Sequence, residues 1–312
     1  MKSALVSDVD ELLAGQSATW PLMKRGVEGL RASLSRTERV AGRDLVIRHI
    51  PHRIVSTTAA VDAASIARRP CFLCAANLPK EEHGIPFDSE FVIYCNPFPI
   101  LDRHLTIVRV DHRPQRIVGS FHSMLRLAEA LPDSFILYNG ARCGASAPDH
   151  MHFQACSRAV FPIERDVRDS GGLTIPNYAR HAIVLRDRDR ASMADRLHRL
   201  MAILAEEARK SVPSAANEEP PEPMVNIAVY FDSGQWTAIV FPRSKHRPRV
   251  YETGEFTVSP ATIDLCGVLV VPVEKDFHRI HGPDIERIFK EVTMSDDAFS
   301  IVLDRFASEG RS

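Results

Sequence analysis

The segment His150-Met151-His152-Phe153-Gln154-Ala155-Cys156 leaves little choice of backbone. Successive side chains of a β-strand point to opposite faces. A strand here puts His150, His152 and Gln154 on one face and Met151, Phe153 and Ala155 on the other, against a core. A neutral imidazole, with a reference pKa near ~6.5, can act as base, nucleophile or metal ligand at neutral pH. Two imidazoles beside an amide on one face point to chemistry; the plain alternative is a strand with a solvated polar face.

The rest of the chain supplies partners for that strand. Residues 91–96 and 104–110 are β-rich runs joined by a Pro-containing link, and 135–139 is a third run. Between 117 and 131, Ile117, Phe121, Met124, Leu125, Ala128 and Leu131 form one helical face. Leu45 to Ile50 reads as a further strand. The first forty residues read as helix, through Trp20, Leu22, Met23, Val27, Leu30 and Leu34. A second amphipathic helix carries Met193, Leu197, Leu200, Met201, Leu204 and Ala208. The stretch 211–223, SVPSAANEEPPEP, has linker composition. Beyond it NIAVYF, the turn DSGQ and WTAIVF write a hairpin, followed by the apolar run LCGVLVVPV and helices near 283–294 and 296–307. The expected division is a helical arm at 1–44, a catalytic half at 45–210, a linker at 211–223 and a second half at 224–312.

With 312 residues, 45% hydrophobic and 25% charged, the chain has the composition of a globular protein with ample core. A formal net charge of -1 gives no global field for nucleic acid or anionic lipid. No apolar run approaches the ~18 residues of a membrane span, and MKSALVSDVDELLAG carries acids where a signal peptide is apolar. A cytoplasmic protein without nucleic-acid or membrane partners is expected. Its six cysteines do not form the dense framework of a small secreted domain.

Two features flank the histidine row. Asn139-Gly140 and Cys143-Gly144-Ala145-Ser146 form a small-residue loop whose backbone N–H groups can approach an anion; the alternative is an ordinary turn. Cys71-x-x-Cys74 reads as a zinc half-site, a redox pair or two core thiols. A zinc site needs two more ligands, and His83, His104, His112, His122 and His150 are candidates. A redox pair should open a helix directly after a strand, whereas Arg69-Pro70 precedes this one.

In this order, CxxC, then N-P-F-P-I-L-D-R-H-L-T-I-V with His112 eight residues after His104, a helix, Asn139, the small loop and H-x-H-x-Q, the chain resembles the histidine-triad and galactose-1-phosphate uridylyltransferase superfamily. The resemblance covers roughly residues 45–160 and implies an α+β fold, an antiparallel sheet with flanking helices, here as two fused halves. It implies that His152 is the nucleophile that attacks the α-phosphorus of a nucleotide and forms a covalent nucleotidyl-histidine. Gln154, where hydrolases of the family carry a third histidine, implies transfer or phosphorolysis. Cys71, Cys74, His112 and His150 map to the ligands of a structural zinc, and Asn96 to the ribose-binding position. VYFDSGQWTAIVFPRSKHRP resembles the C-terminal half of diadenosine tetraphosphate and GDP-hexose phosphorylases, implying Arg243 and Lys245 near the phosphates.

The expected enzyme is a nucleotidyltransferase or phosphorylase acting on a dinucleoside polyphosphate or nucleotide sugar. Phosphate or a sugar phosphate is its acceptor, and Asn139, Gly140, Gly144 and Ser146 bind substrate. Mg²⁺ would enter only with the nucleotide. A hydrolase of the same substrates is the first alternative, and a non-catalytic zinc-stabilised nucleotide-binding module the second. Monomer and homodimer are both open. The loop departs from the family in having three residues, Ala147, Pro148 and Asp149, between Ser146 and His150, which leaves Asp149 without a role.

Overall fold

The computed structural model describes residues 4–211 and 222–309. The linker read at 211–223 lies mostly outside the described residues. Two helices, Ala4–Thr19 and Pro21–Arg31, open the chain. The helical reading of the first forty residues ends too late: Leu34–Val40 is a strand, β1, paired antiparallel with β2, Arg43–His49. The tight turn between them places Ala41 and Gly42 at positive φ, a hairpin geometry that the alternation of polar residues at 34–40 accepts.

The remaining strands are β3 (Gly84–Phe87), β4 (Phe91–Cys95), β5 (Leu105–Arg109), β6 (Ser134–Asn139), β7 (His152–Ser157), β8 (Ile183–Asp187), β9 (Val225–Asp232), β10 (Gln235–Pro242) and β11 (Val268–Val271). Eight of them form one sheet in the order β3-β4-β5-β7-β6-β9-β10-β8, antiparallel throughout. β11 instead pairs parallel with β2, so β1, β2 and β11 make a small second sheet. The architecture is α+β, as expected. The hairpin β9–β10 is inserted between β6 and β8, so one continuous sheet runs through both halves of the sequence.

The pairing explains where a site can open. Met151, Phe153, Ile107, Ile93 and Ile136 face a core that the helices Phe121–Ala130, Arg190–Ser211 and Asp296–Ser308 cover. On the opposite face, Leu137, Ala228 and Ile239 pack against the small sheet and the helix Gly282–Val292. Residues Gly84, Tyr94, Thr106, Gln154 and Leu137 lie in one register row across β3, β4, β5, β7 and β6. Core covers this face only from Leu137 onward; Tyr94, Thr106 and Gln154 line a cavity of about 530 Å³ instead. That volume is within the ~300–1,000 Å³ of small-ligand sites. Among the described residues no helix is long and apolar enough to cross a membrane.

Candidate active site

His152 opens β7 on the cavity wall, with only 4% of its surface exposed. Its Nδ1 lies 2.8 Å from the carbonyl oxygen of His150, an acceptor only, so Nδ1 carries the proton and donates. Nε2 is left with its lone pair and no partner among the described residues. The backbone is braced by the buried Gln115, whose Oε1 accepts from the His152 N–H (2.8 Å) and whose Nε2 donates to the carbonyls of His152 and Asn139. Burial pulls the His152 pKa down to about 4, keeping the ring neutral and nucleophilic at physiological pH.

Gln154, two residues on, reaches the same cavity. His104 is fully engaged behind it: the Ile100 N–H donates to Nδ1 (3.1 Å), so Nε2 carries the proton and donates to Gln154 Oε1 (3.1 Å). With its oxygen occupied, the Gln154 amide presents its NH₂ to the cavity. Burial lowers the His104 pKa to about 3, in keeping with that neutral tautomer. Both histidines have a stability consequence. Unfolded histidine titrates near 6.5, so below that pH the unfolded chain takes up protons that the folded chain refuses. Their contribution is complete above pH 6.5 and falls with acidification toward pH 4, by roughly 1.4 kcal/mol per pH unit for each histidine. Urea midpoints measured between pH 7 and pH 5 should fall accordingly; a flat profile would contradict two buried neutral rings.

The loop between β6 and β7 lies alongside. Gly144 has φ +97°, and a Cβ there would meet Ala261 at 2.7 Å, so only glycine lets the loop pack this closely. The amides of Gly144, Ala145 and Ser146 donate to no protein acceptor among the described residues. Gly144, Ser146 and Gln154 line a narrow cleft of about 50 Å³ that adjoins the larger cavity. Its cationic wall comes from residues that the motifs did not flag, Arg53 and Arg247, with His246 beside them. Arg247 is held by the carbonyls of Thr57 and Ala59, both at 3.0 Å. Arg53 donates Nη1 to the Phe98 carbonyl, while its buried Nε has no partner among the described residues. The cleft carboxyl, Asp264, is spent on the backbone N–H groups of Ala261 and Val270, both at 2.8 Å.

Just before β7, Cys71, Cys74, His112 and His150 bring one ligand atom each to within 4.8 Å of one another. Cys71 Sγ and His150 Nδ1 are 3.3 Å apart, Cys74 Sγ and His112 Nδ1 3.2 Å, and Cys74 Sγ and His150 Nδ1 3.6 Å. Zinc–sulfur and zinc–nitrogen bonds of about 2.3 and 2.05 Å at a tetrahedral angle imply sulfur–nitrogen edges of about 3.6 Å, so the donor set fits a four-coordinate ion. His150 Nε2 donates to the Arg109 carbonyl at 2.8 Å, which leaves Nδ1 free to ligate. The cluster can hold a metal. His150 therefore departs from the row read in the sequence: it precedes β7 in a bend, and its ring turns to the cysteines rather than to the cavity. Asp149, without a role in the sequence, pairs with Arg69 at 2.8 Å and ties the cysteine segment to the histidine loop.

Residues 12–157 match the family model described as Domain of unknown function (DUF4922), and residues 222–308 match the GDPGP1-like, C-terminal domain. No curated protein matches the sequence. Among solved structures, yeast Ap4A phosphorylase Apa2 aligns with a TM-score of 0.57 at 15% identity, over 88% of this chain and 98% of that one. Apa2 in complex with Ap4A gives 0.58 at 14% identity, over 84% and 90%. The chain has the histidine-triad-like fold. That fold, and the GDPGP1-like match over the second segment, agree with the resemblance read from the order of the motifs.

Within the histidine-triad-like fold, Asn96, Ser146, His152 and Gln154 all line the large cavity. The Asn96 amide is partly committed, donating to Thr106 Oγ1 at 3.1 Å and accepting from the Phe98 N–H at 3.0 Å. Asn139 and Gly144 line the cleft, but Asn139 Oδ1 already accepts from Asn226 and from both donors of Thr262. Three of the expected residues lie apart from both. Gly140 packs against β9, where a Cβ would meet the Val225 carbonyl at 2.8 Å, and it lines a different pocket. Arg243 is buried and satisfied by the carbonyls of Val292, Pro260, Lys245 and His246 and by the side chain of Asn226. Lys245 is paired with Glu291 at 2.6 Å. Neither lines the cavity or the cleft, because the buried Arg243 anchors the turn while the next residues, His246 and Arg247, project from it.

Proposed function

We propose that this protein is a nucleotidyltransferase or phosphorylase in which His152 carries the nucleotidyl group. The observation that carries the reading is the tautomer of His152: a neutral ring, its Nδ1–H donating a hydrogen bond to the His150 carbonyl, its Nε2 lone pair on a ligand-sized cavity beside Gln154 and a cleft lined with cationic side chains. The likeness to an Ap4A phosphorylase solved with AMP and with Ap4A supports a nucleotide substrate. The match to a GDPGP1-like domain over the second segment supports phosphorolysis over hydrolysis.

In this reading the nucleoside occupies the large cavity, with Asn96 at its ribose, and the phosphates extend toward the cleft. His152 Nε2 attacks the α-phosphorus. An N–P bond forms as the P–O bond to the leaving group breaks, and the electron pair departs on that oxygen. The NH₂ of Gln154 and the amides of Gly144 to Ser146 would meet the charge that builds on the phosphoryl oxygens. Arg53 and Arg247 would hold the leaving phosphate and then the acceptor, whose oxygen attacks phosphorus and restores His152. Zinc at Cys71, Cys74, His112 and His150 would hold the His150 carbonyl in place to accept the hydrogen bond from His152 Nδ1–H. We retain the division into a catalytic half at 45–210 and a second half at 224–312, the latter supplying Arg247.

Intact-protein mass after incubation with nucleoside triphosphates, dinucleoside polyphosphates and nucleotide sugars, quenched at alkaline pH, tests the reading. An increment of one nucleoside monophosphate supports it; nucleotide turnover by a protein that never gains mass, even in single-turnover sampling, overturns it. The assignment of the cleft is tested on the same nucleotide with phosphate as acceptor. Arg53→Ala and Arg247→Ala should each raise the KM for phosphate at least about tenfold, the scale of a lost charge-assisted contact. Lys245→Ala, which removes a pair at the surface, should change it less than twofold.

A further inference from the structure

The second half of the chain holds a buried charge that the transfer chemistry above does not use. Arg243, just after β10, is 4% exposed, and the N–H groups of its guanidinium all donate to neutral oxygens. Those oxygens are the carbonyls of Val292, Pro260, Lys245 and His246 and Oδ1 of Asn226. Among the described residues Arg243 has no ion pair: Glu291 pairs with Lys245, and Asp264, the carboxyl of the cleft wall, is held by the N–H groups of Ala261 and Val270. The neighbouring Cys143 thiol is pushed up to about 11 by burial and stays uncharged. A buried cation without a paired anion costs stability unless a ligand brings one to it.

Where that anion would sit follows from the amides in front of the guanidinium. Asn139 on β6 and Asn226 on β9 are direct partners in the strand pairing, which sets their side chains next to each other on one face. Asn226 is fully buried, and with its Oδ1 turned to Arg243 its NH₂ donates to Asn139 Oδ1 at 2.9 Å and to the Cys143 carbonyl at 2.8 Å. The second bond holds the loop that carries Gly144, Ala145 and Ser146. Asn139 Oδ1 also accepts from the Thr262 N–H at 2.9 Å, so donors fix that end of the amide inside the protein. The Asn139 NH₂ has no acceptor among the described residues and is left to line the cleft, beside Gly144, Ser146 and Gln154. Hydrogen bonds in series in a water-poor interior polarise one another. This series runs from a guanidinium to an NH₂ at the cleft.

We propose that Asn226 is a positioning residue for the phosphate site: backed by the Arg243 charge, it turns the Asn139 NH₂ into the cleft as a donor to phosphate oxygens. This rests on the reading of the cleft as the phosphate site. Arg243 touches no ligand; it acts through two amides and through its field, which water screens little at such depth. The half without the nucleophile thus sets the anion site of the half that has it.

Calorimetric titration of the full chain with inorganic phosphate tests the relay. Asn226→Asp is nearly isosteric and gives the Arg243 guanidinium a carboxylate partner, so Tm should hold within a few degrees. It also sets an acceptor against Asn139 Oδ1 and removes the donor to the Cys143 carbonyl. The Asn139 amide then turns over, and its oxygen faces the cleft. Phosphate should bind at least about tenfold more weakly, the scale of a lost hydrogen bond to a charged group. A merely structural role would lower Tm and leave phosphate affinity in place. Asn139→Asp keeps the internal oxygen with its donors and replaces only the NH₂; it should weaken phosphate by at least as much, and it decides alone if Asn226→Asp does not fold. A loss smaller than tenfold in either folded variant, or no phosphate binding by the native chain, overturns the relay. The transfer reading then stands if the native protein gains nucleotidyl mass and falls if it does not.

Discussion

His152→Ala is expected to lose nucleotidyl transfer by at least about a thousandfold, the scale on which removing a covalent nucleophile acts, and to gain no mass on incubation with the substrate. Its Tm should stay within a few degrees of the native value. The ring contributes one hydrogen bond, to the His150 carbonyl, and is otherwise turned to a cavity, so little packing goes with it. The backbone N–H of residue 152 keeps its bond to Gln115, which holds β7 in register. Nucleotide affinity should therefore survive within a fewfold. Undiminished turnover in a folded His152→Ala protein would sink the covalent mechanism; lost affinity in parallel with lost turnover would instead mark His152 as a binding group.

Cys71→Ser is expected to have the largest effect on stability. About one zinc should be found per native chain and almost none in the variant. A ligand that binds only the folded state stabilises it by about 4 kcal/mol at a thousandfold excess over its Kd. For a chain of this size each kcal/mol moves Tm by about 2–4 °C, so Tm should fall by about 8–16 °C, and chelation of the native protein should reproduce the loss. Activity should follow through kcat more than through nucleotide affinity. His150 is at once a donor in the cluster and, through its carbonyl, the acceptor of the His152 proton. If metal-free native protein melts at the same temperature, the four residues are two thiols and two imidazoles packed by chance, and the zinc assignment fails.

Much of the site could be read in one dimension because its parts are local in sequence. The alternation at 150–156 determined that His152 and Gln154 share a face opposite Met151 and Phe153, and pairing to β5 and β6 keeps that arrangement. The two cysteines and their two histidines were recoverable from the order of motifs, and the geometry brings all four together. What could not be read in the sequence was whatever depends on chain direction at a turn or on distant partners. Arg243, Lys245 and Arg247 are within five residues of one another, and only packing against Val292, Pro260 and Asn226 decides that Arg243 turns inward and Arg247 reaches the cleft. Gln115 belongs to no motif; it matters because tertiary pairing sets it behind His152. The period of a strand is a property of the backbone, so sequence alone determined the faces of β7. Which cation of the turn comes to line the cleft is decided by the close-packed neighbours that consume the others, and these are assembled only when the chain has folded.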